Sequence, residues 1–384
     1  MISYDEALRI VLSKNFRTLQ KCIRLHPDLI RFIDNQTEEL QMVAVKSDPS
    51  SIQFIKCPSE KVIEYAIRRE PNVIRYIDNP NKNIQLLAVS NSISAIKYIK
   101  NPDEDVQLRS IRKSVSSVQY IDNPSKRVQS EVIYTQPLAI GYIKKPDIEI
   151  QVECVKMNPL SIKFIKNPCI EAQLEAVRNS GSVLQYIKNP SKEVQLEAIK
   201  HSPYNISYIK KPDKEIIMHA LKAEPRIMRH IKKPTKEMQL FAVNLDPTTI
   251  SLIDNPCMEA KILAAKRGVK IFNISNPNRI VKLEALKNDG KNILYIKRPD
   301  KEMKIQAVKQ TPYIIKFIDN PSKEVKLAAV MKDGLSIQWI ENPDKDIQLE
   351  AVKQNLYAFK HIRKPNPEVL EYIKDILEID EVKA

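Results

Sequence analysis

The sequence predicts an all-α fold, an α-solenoid built from 22-residue repeats of two short helices each. Three observations carry this. Prolines recur at a fixed step: Pro58, Pro80, Pro102, Pro124, Pro146, Pro168, Pro190, Pro212, Pro234 and Pro256 lie 22 apart, one step of 21 leads to Pro277, and 22 resumes through Pro299, Pro321, Pro343 and Pro365. Small and aliphatic positions are locked to that step. No alternating apolar–polar pattern competes as a strand signal. A fixed period of 20–50 residues is the mark of stacked repeats, in which each unit buries its apolar face only against its neighbours.

Taken in order, residues 1–13 form an N-terminal capping helix, residues 14–364 hold sixteen repeats, and residues 365–384 form a C-terminal capping helix with an acidic tail. Gln36 and Lys14 occupy the proline position in the first two copies. Counting each copy from that residue as position 0, position 4 is apolar in fifteen of sixteen copies and position 8 is Ala in twelve. The residue three before each next proline position is Ile in all sixteen, from Ile33 through Ile187 to Ile362. A second proline position, thirteen along, holds Pro27, Pro49, Pro71, Pro137, Pro159, Pro203, Pro225, Pro247 and Pro312, and Gly181, Gly290 or Gly334 in three other copies.

Proline is favoured at the first turn of a helix, where its missing N–H costs nothing. Asn, a strong N-cap, precedes position 0 in ten copies. Each copy therefore reads as Asn cap, Pro start, a first helix of roughly 11 residues, a Pro or Gly break and a second short helix. Helices this short are marginal alone, since about 12–15 residues are needed even for good helix formers. Burial of Ile, Val and Ala against adjacent copies, at ~1.5–3 kcal/mol per aliphatic side chain, must hold them. With packed helices ~8–10 Å apart, sixteen copies would span on the order of 130–160 Å.

Composition narrows the function classes. The chain has 62 Lys and Arg against 47 Asp and Glu, a net charge of +15, and only 5 Gly among 384 residues. Gly-rich phosphate loops are excluded on that count, and neither a nucleophile elbow nor an H-E-x-x-H pattern is present. Five Cys without a C-x-x-C argue against a disulfide framework or zinc ribbon. The opening "MISYDEALRIVLSKNF" has no apolar signal core, and no run reaches the ~18 apolar residues of a membrane span. A soluble protein of a reducing, cytoplasmic compartment is expected, with no cofactor and no metal. The Lys-, Ile- and Asn-rich composition points to an AT-rich genome, bacterial or phage, where sequestering a host factor is an expected role.

At positions 0 to 9 the phrase "PSKEVQLEAI" resembles the first helix of HEAT-like repeats, and the unit length resembles the leucine-rich-repeat variant. The resemblance implies a binding scaffold, with a DNA glycosylase of HEAT-like fold as a remote alternative. The Arg that follows Val in such repeats is here Gln in nine copies and Lys in four, Lys261, Lys282, Lys304 and Lys326. An Arg-centred polar ladder is therefore not carried over.

Two columns bear on function, because equivalent positions of a solenoid form stripes. One is aromatic, lying just before the Ile found in every copy: Phe32, Phe54, Tyr76, Tyr98, Tyr120, Tyr142, Phe164, Tyr186, Tyr208, Tyr295, Phe317 and Trp339. It reads either as a second packing layer or, at Tyr142, Phe164, Tyr186 and Tyr208, as a stacking platform for bases. The other column is basic and lies just after that Ile: Lys144, Lys166, Lys188, Lys210 and Lys232, doubled by Lys145, Lys211 and Lys233. The first helix ends add Lys156, Arg178, Lys200 and Lys222. It reads either as a phosphate track or as helix-dipole and solubility charge. Residues 134–250 carry 18 basic and 12 acidic side chains, a net +6, close to the chain average.

The copy at residues 256–276 is one residue short, contains Gly268 and places Asn273 where the aromatic is expected. His219 and His230 share a copy but offer too few ligands for a metal. Glu193 and Glu197 read as helix-face charges. Cys22 and Cys154 replace the core Ala, and Cys57, Cys169 and Cys257 flank position 0, with greater exposure expected. The leading expectation is a non-enzymatic scaffold for a macromolecular partner, more readily a protein than a nucleic acid, with nucleic-acid or phosphorylated-ligand binding along the Lys column as the alternative.

Overall fold

A computed structural model describes residues 3–13 and 16–377. Lys14, which opens the first copy, and the acidic tail at 378–384 lie outside the described residues. Among the described residues the chain is helical throughout, with no strand. It divides into two compact units, Met1–His201 and Ser202–Ala384. Inside each unit, every α-helix packs on the α-helix of the next copy and every 3₁₀ helix on the next 3₁₀ helix, giving two parallel layers.

The copy starting at Pro146 shows the unit. An α-helix runs Ile148–Met157, and a 3₁₀ helix runs Pro159–Phe164. Ile150, Cys154, Val155, Ile162 and Ile165 are buried. The small residue at position 8 lies against the preceding copy's backbone, Cys154 Sγ standing 3.2 Å from the Pro137 carbonyl, and the aliphatic residues close the space between the layers. Pro159 stands in the first turn of its 3₁₀ helix and Asn158 before it is extended, the conformation a following proline imposes. Where Gly replaces this Pro, the neighbouring copy comes closer. A Cβ on Gly290 would collide with the Ala307 carbonyl, and one on Gly334 with that of Ala351.

The expected Asn cap is corrected by the structure. The first helices begin two positions after the proline, and the cap is the residue at position 1. Thr37 accepts from the Leu40 N–H (3.5 Å), Asn81 from Ile84 (3.0 Å), Asp213 from Ile216 (2.9 Å) and Asn278 from Val281 (3.0 Å). Asn before the proline does something else. Asn79, Asn101, Asn189, Asn276, Asn320 and Asn342 adopt positive φ, between 43° and 51°. Asn tolerates this left-handed conformation better than most residues, so it turns the chain from one copy into the next. Lys233 and Arg298 take the same turn.

The glutamines at position 5 tie successive copies together. Gln151 Nε2 donates to the Pro146 carbonyl (2.9 Å) and its Oε1 accepts from Cys169 N–H of the following copy (2.9 Å). Gln41, Gln129, Gln239 and Gln348 repeat the link to the following copy's first N–H. This buried amide ladder takes the place of the Arg ladder. Where Lys replaces Gln, the ammonium reaches linker carbonyls instead, Lys261 to Asn276 and Lys304 to Asp319, both at 3.4 Å.

The short copy ends its α-helix, Met258–Lys266, in a different way. Gly268 is left-handed (φ 84°), its N–H bonds the Ala265 carbonyl, and Val269 N–H bonds the Ala264 carbonyl, both at 3.0 Å. These paired bonds are a Schellman closure. The 3₁₀ helix shrinks to Ile271–Asn273. Buried Asn292 of the next copy fills the gap: its Oδ1 accepts from Ile271 N–H (3.0 Å) while Nδ2 donates to the Ala285 (2.9 Å) and Asp289 (3.0 Å) carbonyls.

Candidate macromolecule-binding face

Each 3₁₀ helix is followed by an extended Ile, buried as at Ile165 and Ile187 and half-buried at Ile77 and Ile231. Side chains alternate across extended backbone, so the residues on either side of that Ile turn outward together. The aromatic column and the Lys column therefore share one face of each unit. Tyr142, Phe164, Tyr186 and Tyr208 are 46%, 44%, 37% and 41% exposed, while Phe54, Tyr76 and Trp339 are more covered. The column is thus neither core nor free-standing: one side of each ring packs and the other meets solvent.

The spaces between rings hold cations from the position just before the aromatic. In the first unit Arg31 lies over Phe32 (5.8 Å) and Phe54 (3.9 Å), Arg75 over Tyr76 (4.7 Å) and Tyr98 (5.6 Å), and Lys163 over Phe164 (5.7 Å) and Tyr186 (5.5 Å). In the second unit Lys316 lies over Phe317 (4.8 Å) and Trp339 (5.7 Å). One cation thus reaches two successive rings and bridges adjacent copies. Sequence reading missed this cation because the same position elsewhere holds Gln119, Gly141, Gln185 or Ser207. At Gly141 the Phe164 ring closes in, since a Cβ there would lie 3.1 Å from Phe164 Cβ.

The basic candidates are all exposed, and they divide by partner. Lys144 pairs with Asp122 at 2.6 Å, and that ammonium holds the Asp122 carboxyl below its ordinary range. Arg178 (3.4 Å) and Lys200 (3.2 Å) share Glu197, whose pKa is lowered chiefly by Lys200. Glu197 is thus a bridging residue between copies as well as a helix-face charge. Lys145, Lys156, Lys166 and Lys188 in the first unit, and Lys210, Lys211, Lys222, Lys232 and Lys233 in the second, have no ion-pair partner among the described residues.

No match to this chain is found among protein-family models, curated proteins or solved structures. The site is accordingly read from its own chemistry.

A different set of cations is fully engaged. Position 2 of one copy pairs with position 3 of the next in Lys82–Asp105, Lys126–Glu149, Lys214–Glu237 (2.6 Å), Lys236–Glu259 (2.5 Å), Arg279–Glu302, Lys301–Glu324 (2.6 Å), Lys323–Asp346 and Lys345–Glu368. Glu38–Lys61 (3.9 Å) and Glu104–Arg127 (3.5 Å) are the same link with signs exchanged. Glu324 of the second "SKE" belongs to this ladder, whereas the copy before Glu193 carries Ile170 at position 2.

Phe272, not Asn273, continues the aromatic column through the short copy, its ring 4.8 Å from that of Tyr295. His219 is exposed, and His230 packs edge-on against Tyr204 at 6.0 Å. Among the described residues no group of three or more His, Cys, Asp or Glu converges as a metal site. Burial pushes the thiol pKa of Cys22, Cys154 and Cys169 up, away from the reactive thiolate. Cys57 is exposed and Cys257 half-buried. Among the described residues no helix is long and apolar enough to cross a membrane.

Proposed function

We propose that this chain is a non-enzymatic α-solenoid scaffold that binds an acidic partner protein on the faces that the 3₁₀ helices and junctions make in each unit. The supporting observation is the division of labour among cations. Those at the α-helix starts are engaged in links between copies, whereas Lys166 and Lys188, and likewise Lys210 and Lys232, stand exposed beside half-buried rings without an ion-pair partner among the described residues. Rings flanked by exposed cations suit the rim-and-anchor chemistry of protein interfaces, where aromatics and Arg carry the energy.

Base stacking fits less well. Successive bases of a strand rise by about 3.4 Å, against the ~8–10 Å at which packed helices repeat, and several gaps are already filled by Arg31, Arg75 and Lys163. A phosphate track along the lysines is the competing reading and is separated by the same experiment. Wild-type protein and a Lys166→Glu, Lys188→Glu, Lys210→Glu variant are used to capture partners from the native host, with and without nuclease. A nuclease-resistant, salt-sensitive protein partner lost from the variant is expected. Loss of all binding on nuclease treatment would transfer the face to nucleic acid, and equal capture by both proteins would refute the assignment.

A further inference from the structure

A cavity of about 320 Å³ lies between two consecutive junctions of the second unit, lined among others by Met228, Pro234, Gln239, Leu252, Asp254 and Asn255. The equivalent space in the first unit is filled by the chain itself. There Gln36 stands where the later copy has Pro234. Its Nε2 donates to the carbonyls of Ile30 (3.0 Å) and Phe54 (3.1 Å), and its Oε1 accepts from Lys56 N–H (2.9 Å). Counting in repeat steps, the residues equivalent to Ile30, Phe54 and Lys56 are Met228, Leu252 and Asp254. All three line the cavity.

The surroundings correspond as well. Gln41 donates to the Gln36 carbonyl (2.8 Å) and accepts from Ser59 N–H (3.2 Å). Gln239 donates to the Pro234 carbonyl (3.1 Å) and accepts from Cys257 N–H (2.7 Å). The two junctions share this pattern of carbonyls and N–H groups; they differ in that proline has no amide to place among them and in that Lys233 is left-handed (φ 56°) where Asn35 is not.

We propose that this cavity binds a primary carboxamide, its NH₂ on the Met228 and Leu252 carbonyls and its oxygen on the Asp254 N–H. Two acceptors and one donor in that order match an amide and mismatch a carboxylate, which has no hydrogen to give. The volume exceeds what an amide group fills, leaving room for a carrier of amino-acid size. Arg229 and Asp254 in the lining suit the charged ends of a free amino acid. A glutamine or asparagine side chain from a partner chain would present the same amide.

The test follows the Asp254 backbone amide of the isotope-labelled full-length protein by NMR during titration with acetamide, L-glutamine, L-glutamate and a doubly blocked glutamine. Acetamide and L-glutamine are expected to shift it, and L-glutamate to bind at least about tenfold more weakly. Tighter binding of free than of blocked glutamine assigns the site to the amino acid, and the reverse order to a partner's side chain. Pro234→Gln, which copies the Gln36 arrangement, is expected to raise the Tm and abolish the shifts. Unshifted Asp254 with both amides, equal binding of L-glutamate, or unchanged binding in Pro234→Gln would overturn the proposal.

Discussion

The amide ladder makes a quantitative prediction at Gln151. Its side chain is 7% exposed and makes two hydrogen bonds of 2.9 Å, one to its own copy and one to the next. Gln151→Ala leaves the Pro146 carbonyl and the Cys169 N–H without partners in a site that water reaches poorly. At ~1–3 kcal/mol for each of these two unsatisfied groups, the expected loss is ~2–6 kcal/mol. Gln151→Lys should cost about half as much, because an ammonium can satisfy a carbonyl, as Lys261 and Lys304 do, but cannot accept from the N–H. Repeat proteins open locally, so global melting would blur the effect. Native-state hydrogen exchange at the Cys169 amide reads the junction itself. A Gln151→Ala protein within ~0.5 kcal/mol of wild type, or equal losses for the Ala and Lys variants, would refute the idea that this amide joins the copies.

Three further outcomes are expected. Asn189→Val should destabilise by ~1–2 kcal/mol while Asn189→Gly stays near wild type, because φ at this residue is 50° and only the left-handed turn is at issue; urea denaturation of the two variants checks this. Asn292→Ala should cost ~1–3 kcal/mol by orphaning the Ile271 N–H, since the Ala285 and Asp289 carbonyls keep backbone donors, read as a drop in Tm. Glu324 is held at about 2, chiefly by its ion pair with Lys301. Because its folded pKa is depressed below the ordinary 4.5, its contribution is present above pH 4.5 and is lost as pH falls towards 2. Glu324→Gln should therefore flatten stability across that window at low salt, and an unchanged acid limb would count against the pair.

Much of the fold was legible because the determinants repeat in register. A Pro every 22 residues, Ala at position 8 and an Ile in every copy fix two short helices per unit and their neighbours without reference to distant residues. The cap was misread for a physical reason: Asn serves both as an N-cap and as a left-handed turn former, and only the backbone tells which. The true caps, Thr37, Asn81 or Asp213, vary in type and so left a fainter column. The columns of rings and lysines were legible as columns, and their common face follows from one buried Ile between them. The cations between rings were not, since Arg31 meets Phe54 across a full repeat and the same position elsewhere is uncharged. Phe272 escaped notice because a one-residue deletion shifts the count just where it substitutes for the missing ring.

The charge links between copies act as a grammar for the growth of the array. A copy that offers Lys at position 2 must be followed by one with an acid at position 3, as Lys126 is by Glu149. The copy carrying Glu104 obeys the opposite rule and is followed by Arg127. Unequal recombination that set the Glu104 copy directly before the Glu149 copy would bring two carboxylates together at that joint, a cost of the same few tenths to one kcal/mol that the matched pair provides. Repeats of this chain are therefore not interchangeable beads: at the charged joints, the sign of a single side chain decides which copy may follow, while joints such as Ile148 with Glu171 impose no such rule.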